Sequence, residues 1–206
     1  MDVNSFMNTK QVSGTKSKDF DEIVDLKKAY DFAREHPLTE QHLLEAHRIL
    51  SRLILSPGNQ GIYRQDKVAV FSSRGLQYMA VEYEHVPTEM EALFGAIDAV
   101  IAEKPDTQHA LYYSSLAHLN FAHIHPFMDG NGRIARLLEK WFLATLIGDH
   151  AWQIESEKYY KEHQREYYRT IALGVNYYEL EYNQCVPFLL QLQHAILAST
   201  VDKNRL

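Results

Sequence analysis

The sequence predicts a mainly α-helical bundle carrying one small β-hairpin beside its functional loop. Three observations predict it. Apolar residues recur at three- and four-residue spacing through most of the chain. Only one pair of segments, 68–71 and 78–83, turns β-branched and aromatic, with Ser72-Ser73-Arg74-Gly75 between them. Glycine (9) and proline (6) are sparse and scattered, and neither a low-complexity tract nor an internal repeat interrupts the pattern, which argues against a solenoid. With 206 residues and 46% hydrophobic content, the chain can bury the core of one domain. The expected division is a polar segment over 1–18 and a single folded domain over 19–206.

Residues 1–18 are rich in Ser, Thr, Asn and Lys and read as a tail or small peripheral element. From 19 to about 35, Ile23, Leu26, Tyr30 and Ala33 mark a helix that Pro37 ends. Thr39 can cap the next, in which Leu43, Leu44, His47, Leu50, Leu53 and Ile54 form one face before Ser56-Pro57-Gly58-Asn59 stops it. The hairpin follows. Thr88 with Glu91 three residues on forms a capping box that opens a helix to about Lys104. Further helices are expected over roughly 107–124, 131–147, 154–173 and 184–200.

A net charge of −6 and a pI near 6.0 disfavour a fold-wide basic surface, so no nucleic-acid partner is expected, although a local anion site is compatible. The single cysteine, Cys185, cannot close an internal disulfide, which suits a reducing cytoplasm. The first residues lack a basic stretch followed by an apolar run. Nothing later approaches the roughly 18 uninterrupted apolar residues of a membrane span, so no membrane partner is expected.

Chemistry concentrates in residues 125–136, His-Pro-Phe-Met-Asp-Gly-Asn-Gly-Arg-Ile-Ala-Arg. Pro126 discourages His125 from helical geometry, so the preceding helix should stop there. Gly130, Asn131 and Gly132 permit unusual backbone angles, and Ile134, Ala135, Leu137, Leu138 and Trp141 restart a helical pattern. The product is a loop presenting free N–H groups at a helix start, where hydrogen bonds and the helix dipole favour phosphate. Arg133 and Arg136 share a helical face and can fork onto phosphate oxygens. Asp129 offers a hard oxygen ligand suited to Mg²⁺, and His125 titrates near neutrality and can accept a hydroxyl proton. Asp-Gly-Asn-Gly alone would be an ordinary turn, and each arginine alone a solvated charge. Their order within twelve residues supplies the components of phosphoryl-type transfer.

These residues resemble the Fic family, whose signature His-x-Phe-x-Asp/Glu-Gly-Asn-Gly-Arg-x-x-Arg is matched at every specified position. Gly61-Ile62-Tyr63-Arg64, the hairpin and Val86-Pro87 look like the family's approach to its flap, here about 66–84, which would align a target segment by strand addition. Gln164-Arg165-Glu166-Tyr167-Tyr168 resembles, more loosely, a segment that helps wall the adenine pocket, since Gln164 stands where the family more often has Asn. The likeness runs over about residues 9–190. It implies a protein adenylyltransferase that uses ATP and Mg²⁺, in which a target Tyr, Ser or Thr hydroxyl attacks the α-phosphorus and pyrophosphate leaves. His125 would be the general base and Asp129 the metal ligand. Gly130, Asn131 and Gly132 would hold phosphates, Arg133 and Arg136 would contact the distal ones, and Gln164, Tyr167 and Tyr168 would lie at the nucleotide.

The resemblance also implies a regulatory element. Many Fic proteins carry an inhibitory helix, Ser/Thr-x-x-x-Glu-Gly/Asn, whose glutamate pairs with the second signature arginine. Thr9 through Gly14 match it except that Ser13 stands at the glutamate position. Serine is neutral and short, so it cannot make the charged pair with Arg136, and weak or absent autoinhibition is expected. A separate antitoxin chain supplying that glutamate, or a second copy of this chain, is a partner left open. Three readings compete with AMP transfer: a catalytically silent nucleotide-binding module, transfer of another nucleotide or phosphate group, and a zinc hydrolase built on His118, His123 and His125.

Overall fold

The computed structural model describes residues 18–72 and 75–203. Helices α1 (Lys18–Glu35) and α2 (Glu40–Leu50) come first, followed by strands β1 (Ala69–Ser72) and β2 (Gly75–Met79). Then come α3 (Val86–Glu103), α4 (Thr107–Ile124), α5 (Asn131–Ile147), α6 (Ser156–Glu162), α7 (Gln164–Ile171), α8 (Val186–Leu189) and α9 (Gln191–Lys203). The mainly α architecture with one hairpin is as the periodicity predicts, and several boundaries answer to local chemistry. Thr39 is extended and its hydroxyl accepts from the His42 N–H at 3.1 Å, capping α2. Asp106 does the same for α4, accepting from the His109 N–H at 2.9 Å.

Some expected boundaries move. The helix expected to open at a Thr88 capping box begins earlier, at Val86, and Pro87 occupies its first turn, where a missing N–H costs nothing. The continuous helix expected over 154–173 breaks at His163, which leaves helical angles (φ −106, ψ 33) and stacks its ring on Tyr159 at 4.0 Å. The C-terminal helix is likewise divided, into α8 and α9 at Leu190. The hairpin pairs Ala69 with Met79 and Val70 with Tyr78, then shifts register between Val70 and Phe71. The second strand ends at Met79 and not at 83, because Val81 turns into the core, where it is 2% exposed.

The main core joins Leu43, Ala46 and Leu50 of α2 to Met90, Phe94 and Ile97 of α3, Phe121 and Ile124 of α4, and Ile134, Leu138 and Phe142 of α5. Phe127, from the loop joining α4 to α5, is fully buried among them. Burial of one such side chain contributes roughly 1.5–3 kcal/mol, so the signature loop is anchored from below. A smaller cluster, Leu119, Tyr160, Tyr167, Phe188 and Leu189, seats α6, α7 and α8 against α4.

Candidate active site

The site grows from the end of α4. His125 caps that helix in the left-handed region (φ 53, ψ 56), while its N–H still reaches the Phe121 carbonyl at 3.0 Å. A non-glycine residue holds such angles only where surrounding contacts enforce them. Gly130, at the other end of the loop, has φ 81 and is the N-cap of α5. A Cβ there would come within 3.2 Å of Leu50 Cδ1 and 3.4 Å of His47 Nε2, so glycine is required both by conformation and by the approach of α2. The N–H groups of Asn131 and Gly132 open α5, where a helix has no internal acceptors for them.

The loop is braced from inside. The Asn131 side chain, 3% exposed, accepts from the Phe127 N–H at 2.9 Å and donates to the Phe127 carbonyl at 2.8 Å. Its amide therefore shapes the loop, and what Asn131 offers an anion is its backbone. His47 stacks flat on Phe127 with centroids 3.6 Å apart. Its Nδ1 accepts from the Gly61 N–H at 3.0 Å and its Nε2 donates to the Asp129 carbonyl at 3.0 Å. Burial pushes the His47 pKa down to about 4, which keeps this ring in the neutral tautomer that both bonds need.

Arg64 locks the same loop from the hairpin side. At 2% exposure, its guanidinium donates to the carbonyls of His125 (2.9 Å), Asp66 (3.0 Å), Val81 and Ile124, and its N–H reaches the Pro126 carbonyl at 2.9 Å. Two of those acceptors are the carbonyls that end α4, where a cation also complements the helix dipole. Tyr78 of β2 donates to the His123 carbonyl at 2.6 Å, so the hairpin sits on the end of α4. Met79 bonds the Val175 carbonyl through its N–H at 2.9 Å. Phe71 and Leu76 of the hairpin are exposed.

Against this frame the chemically active groups are placed. His125 Nδ1 donates to the Ala122 carbonyl at 3.1 Å, a tautomer that leaves Nε2 with its lone pair. Burial lowers the His125 pKa, the Arg64 charge lowers it further, and the Ala122 carbonyl and Asp129 oppose them without prevailing. The imidazole is thus an unprotonated base near neutrality. Asp129 Oδ1 accepts the Gly130 N–H at 2.6 Å. One carboxylate with a second oxygen beside a phosphate cradle fits Mg²⁺, which takes one or two carboxylates and completes its shell with substrate oxygens and water.

Arg133 and Arg136 open onto a cleft of about 520 Å³ between α1 and residues 152–161, shared with Arg34, Lys140 and Lys158. Arg133 Nη2 donates to Glu22 of α1 at 2.9 Å. For Arg136, burial alone would lower the pKa, but Tyr167, Tyr30 and Glu157 outweigh it and hold the guanidinium above its usual range.

The C-terminal residues separate. Gln164 and Tyr168 stand exposed on α7, whereas Tyr167 is 6% exposed, its ring between Tyr160 and Phe188 at 5.3 and 5.8 Å. Tyr167 turns its hydroxyl inward, to His118 of α4 at 2.9 Å. Thr9, Ser13 and Gly14 lie outside the described residues. His118 and His123 have both ring nitrogens engaged, His118 by Glu139 and Tyr167, His123 by Tyr182 and the Ile171 carbonyl. Neither has a nitrogen left for zinc. In the sequence His47 stands only on an apolar helical face and Arg64 only within a family-like segment. A histidine and an arginine bound for the interior were the available signal.

A model of the Fic/DOC family matches residues 37–143. Among characterised relatives, the protein adenylyltransferase Fic of Nematostella vectensis is 31% identical over 110 residues, covering 51% of this chain and 22% of that protein. The Drosophila melanogaster protein of the same name is 32% identical over 103 residues, covering 49% and 19%. The chain thus spans about a fifth of the length of these relatives. A Fic family protein from Desulfovibrio desulfuricans G20 superposes with a TM-score of 0.79 at 26% identity, over 99% of this chain and 60% of that one. A Fic-domain signalling protein from Bacteroides thetaiotaomicron gives 0.63 at 25%, over 96% and 79%. With the family match spanning half the sequence and its signature seated at a braced helix start, the chain belongs to the Fic/DOC family.

Proposed function

We propose that this chain transfers AMP from ATP to a hydroxyl side chain of a target protein, releasing pyrophosphate. The observation that carries the reading is the juxtaposition, in one braced loop, of His125, whose Nδ1 is held by the Ala122 carbonyl and whose Nε2 keeps its lone pair, with the open N-terminus of α5. The names of the relatives support it. His125 Nε2 takes the proton of the target Tyr, Ser or Thr hydroxyl. The hydroxyl oxygen then bonds to the α-phosphorus as the bond to the β-phosphate bridge breaks. Backbone N–H groups of Asn131 and Gly132, with Arg133 and Arg136, stabilise the charge that develops on the phosphates. Asp129 would hold Mg²⁺, which when bound supplies further neutralisation of that charge.

The target aligns on the hairpin, where Phe71 and Leu76 are exposed beside strand edges suited to main-chain pairing. A separate antitoxin chain bearing the glutamate absent at Ser13 is the regulatory partner of the same reading, and a second copy of this chain, which has the same Ser13, would supply no such group. No described helix is long and apolar enough to cross a membrane, and a cytoplasmic setting matches the free Cys185 and the need for ATP.

The test is incubation with α-labelled ATP, Mg²⁺ and a cell lysate. His125→Ala should lower transfer by about 100-fold or more while leaving nucleotide binding in place. A variant as active as the wild type would remove His125 from the reaction. A wild-type protein that binds nucleotide and labels nothing would favour the silent binding module.

A further inference from the structure

We propose that His47 is a positioning residue for Asp129, acting through the peptide unit that joins Asp129 to Gly130 and so steadying the carboxylate that would take Mg²⁺. The inference rests on the reading of Asp129 as the metal ligand. That peptide unit is held at both ends. His47 Nε2 donates to its carbonyl at 3.0 Å, and its N–H donates to Asp129 Oδ1 at 2.6 Å. A trans peptide is planar, with carbonyl and N–H pointing opposite ways, so a bond that fixes the carbonyl also aims the N–H. The N–H in turn fixes one carboxylate oxygen. Asp129 is exposed, and among the described residues no other hydrogen bond reaches its side chain. Without this hold the carboxylate is free to exchange rotamers in water.

The imidazole is anchored from its other side. His47 Nδ1 accepts from the Gly61 N–H at 3.0 Å. Gly61 has φ 69, and a Cβ there would meet the Leu44 carbonyl oxygen and Arg48 Cβ, both at 2.8 Å. Only glycine brings its N–H that close to α2. The ring itself is fully buried and lies flat on Phe127. A stack on Phe127 needs neither nitrogen, so packing alone does not account for the pair of bonds. What does need them is a strut that accepts at one end and donates at the other, running from Gly61 through the imidazole to the carbonyl of Asp129. Groups that orient a metal ligand without touching the metal change metal affinity by about 10- to 100-fold when removed. His47 acts through a peptide unit, so the lower end of that range applies.

The test separates the metal's share of nucleotide binding from the rest. Affinity of the full chain for α,β-methylene-ATP is measured by calorimetry with Mg²⁺ and again with EDTA, and the ratio of the two is the readout. His47→Asn places an amide where Nδ1 stood, within reach of Gly61 but short of Asp129. His47→Gln carries its amide to the place of Nε2, where it can donate to the Asp129 carbonyl. The expected result is a ratio lowered about 10-fold in His47→Asn, with the EDTA affinity changed by less than about twofold, and a ratio within about threefold of wild type in His47→Gln. An unchanged ratio in His47→Asn, or equal losses in the two variants, would overturn the strut, since a general loosening of the loop does not tell them apart. Asp129→Ala is measured in parallel. A ratio unchanged there overturns the metal assignment, and the proposal with it; a ratio that collapses there while His47→Asn keeps its own overturns the strut alone. Should His47→Asn not fold, His47→Leu, which keeps an apolar side chain beside Phe127 and loses both bonds, carries the same comparison with the same outcomes.

Discussion

His125 holds two conditions at once that oppose each other in water: a ring free to take a proton, and a position crowded enough to fix its tautomer. Its left-handed backbone turns the ring back over α4, where the Ala122 carbonyl holds Nδ1–H. The environment lowers its pKa, first through burial and then through the Arg64 charge, so the base form persists below the ordinary imidazole value of 6.5. The pH profile of kcat/KM, which follows the free enzyme, should have its acid limb below that value. A limb at or above 6.5 in steady-state transfer assays would contradict the burial argument. This residue was legible in the sequence because its determinants are local: Pro126 directly after it, Gly130 and Gly132 a few positions further on. His47 was not, because its partner carbonyl at Asp129 lies 82 positions away and nothing in a short window announces a stack on Phe127.

Between elements, the joint that matters most is Arg64. It ties the end of α4 to the base of the hairpin through four carbonyls, all from a side chain almost wholly withdrawn from solvent. Replacing it by methionine keeps the aliphatic stem and strands those carbonyls, which should cost about 3–5 kcal/mol of stability. Chemical denaturation of Arg64→Met checks this, and a loss under about 1 kcal/mol would mean water replaces the guanidinium freely. The helices themselves were readable from apolar spacing and caps, as Thr39 illustrates. Their interruptions were not. The break between α6 and α7 at His163 has no glycine or proline to mark it, and the end of β2 at Met79 is set by Val81 entering a core built from distant helices. Gln164, Tyr167 and Tyr168 look equivalent on a page of letters, yet only Tyr167 turns inward, a distinction made by the Leu119–Phe188 cluster.

For the molecule as a whole, two buried neutral histidines set the response to acid. His47 and His123 both have pKa values pushed down to about 4, in each case chiefly by burial. Unfolded, both rings return toward 6.5, so the unfolded chain takes up more protons as pH falls from about 6.5 to about 4. Stability is therefore full above that window and declines through it, by up to about 3 kcal/mol per histidine. Against a typical total of about 5–15 kcal/mol, this is enough to bring a marginal domain close to unfolding. Thermal melts at graded pH should show a Tm falling between pH 6.5 and 4, with a weaker slope in His47→Gln; a flat profile would refute it.

Arg133 adds a consequence at the same scale. Its contact with Glu22 means that α1 already seats an oxyanion on the signature helix. A phosphate arriving there would trade places with a carboxylate, and so would gain only the difference between two pairings. The carboxylate it released would belong to a different helix, so filling that position would alter what fastens α1 to the rest of the protein.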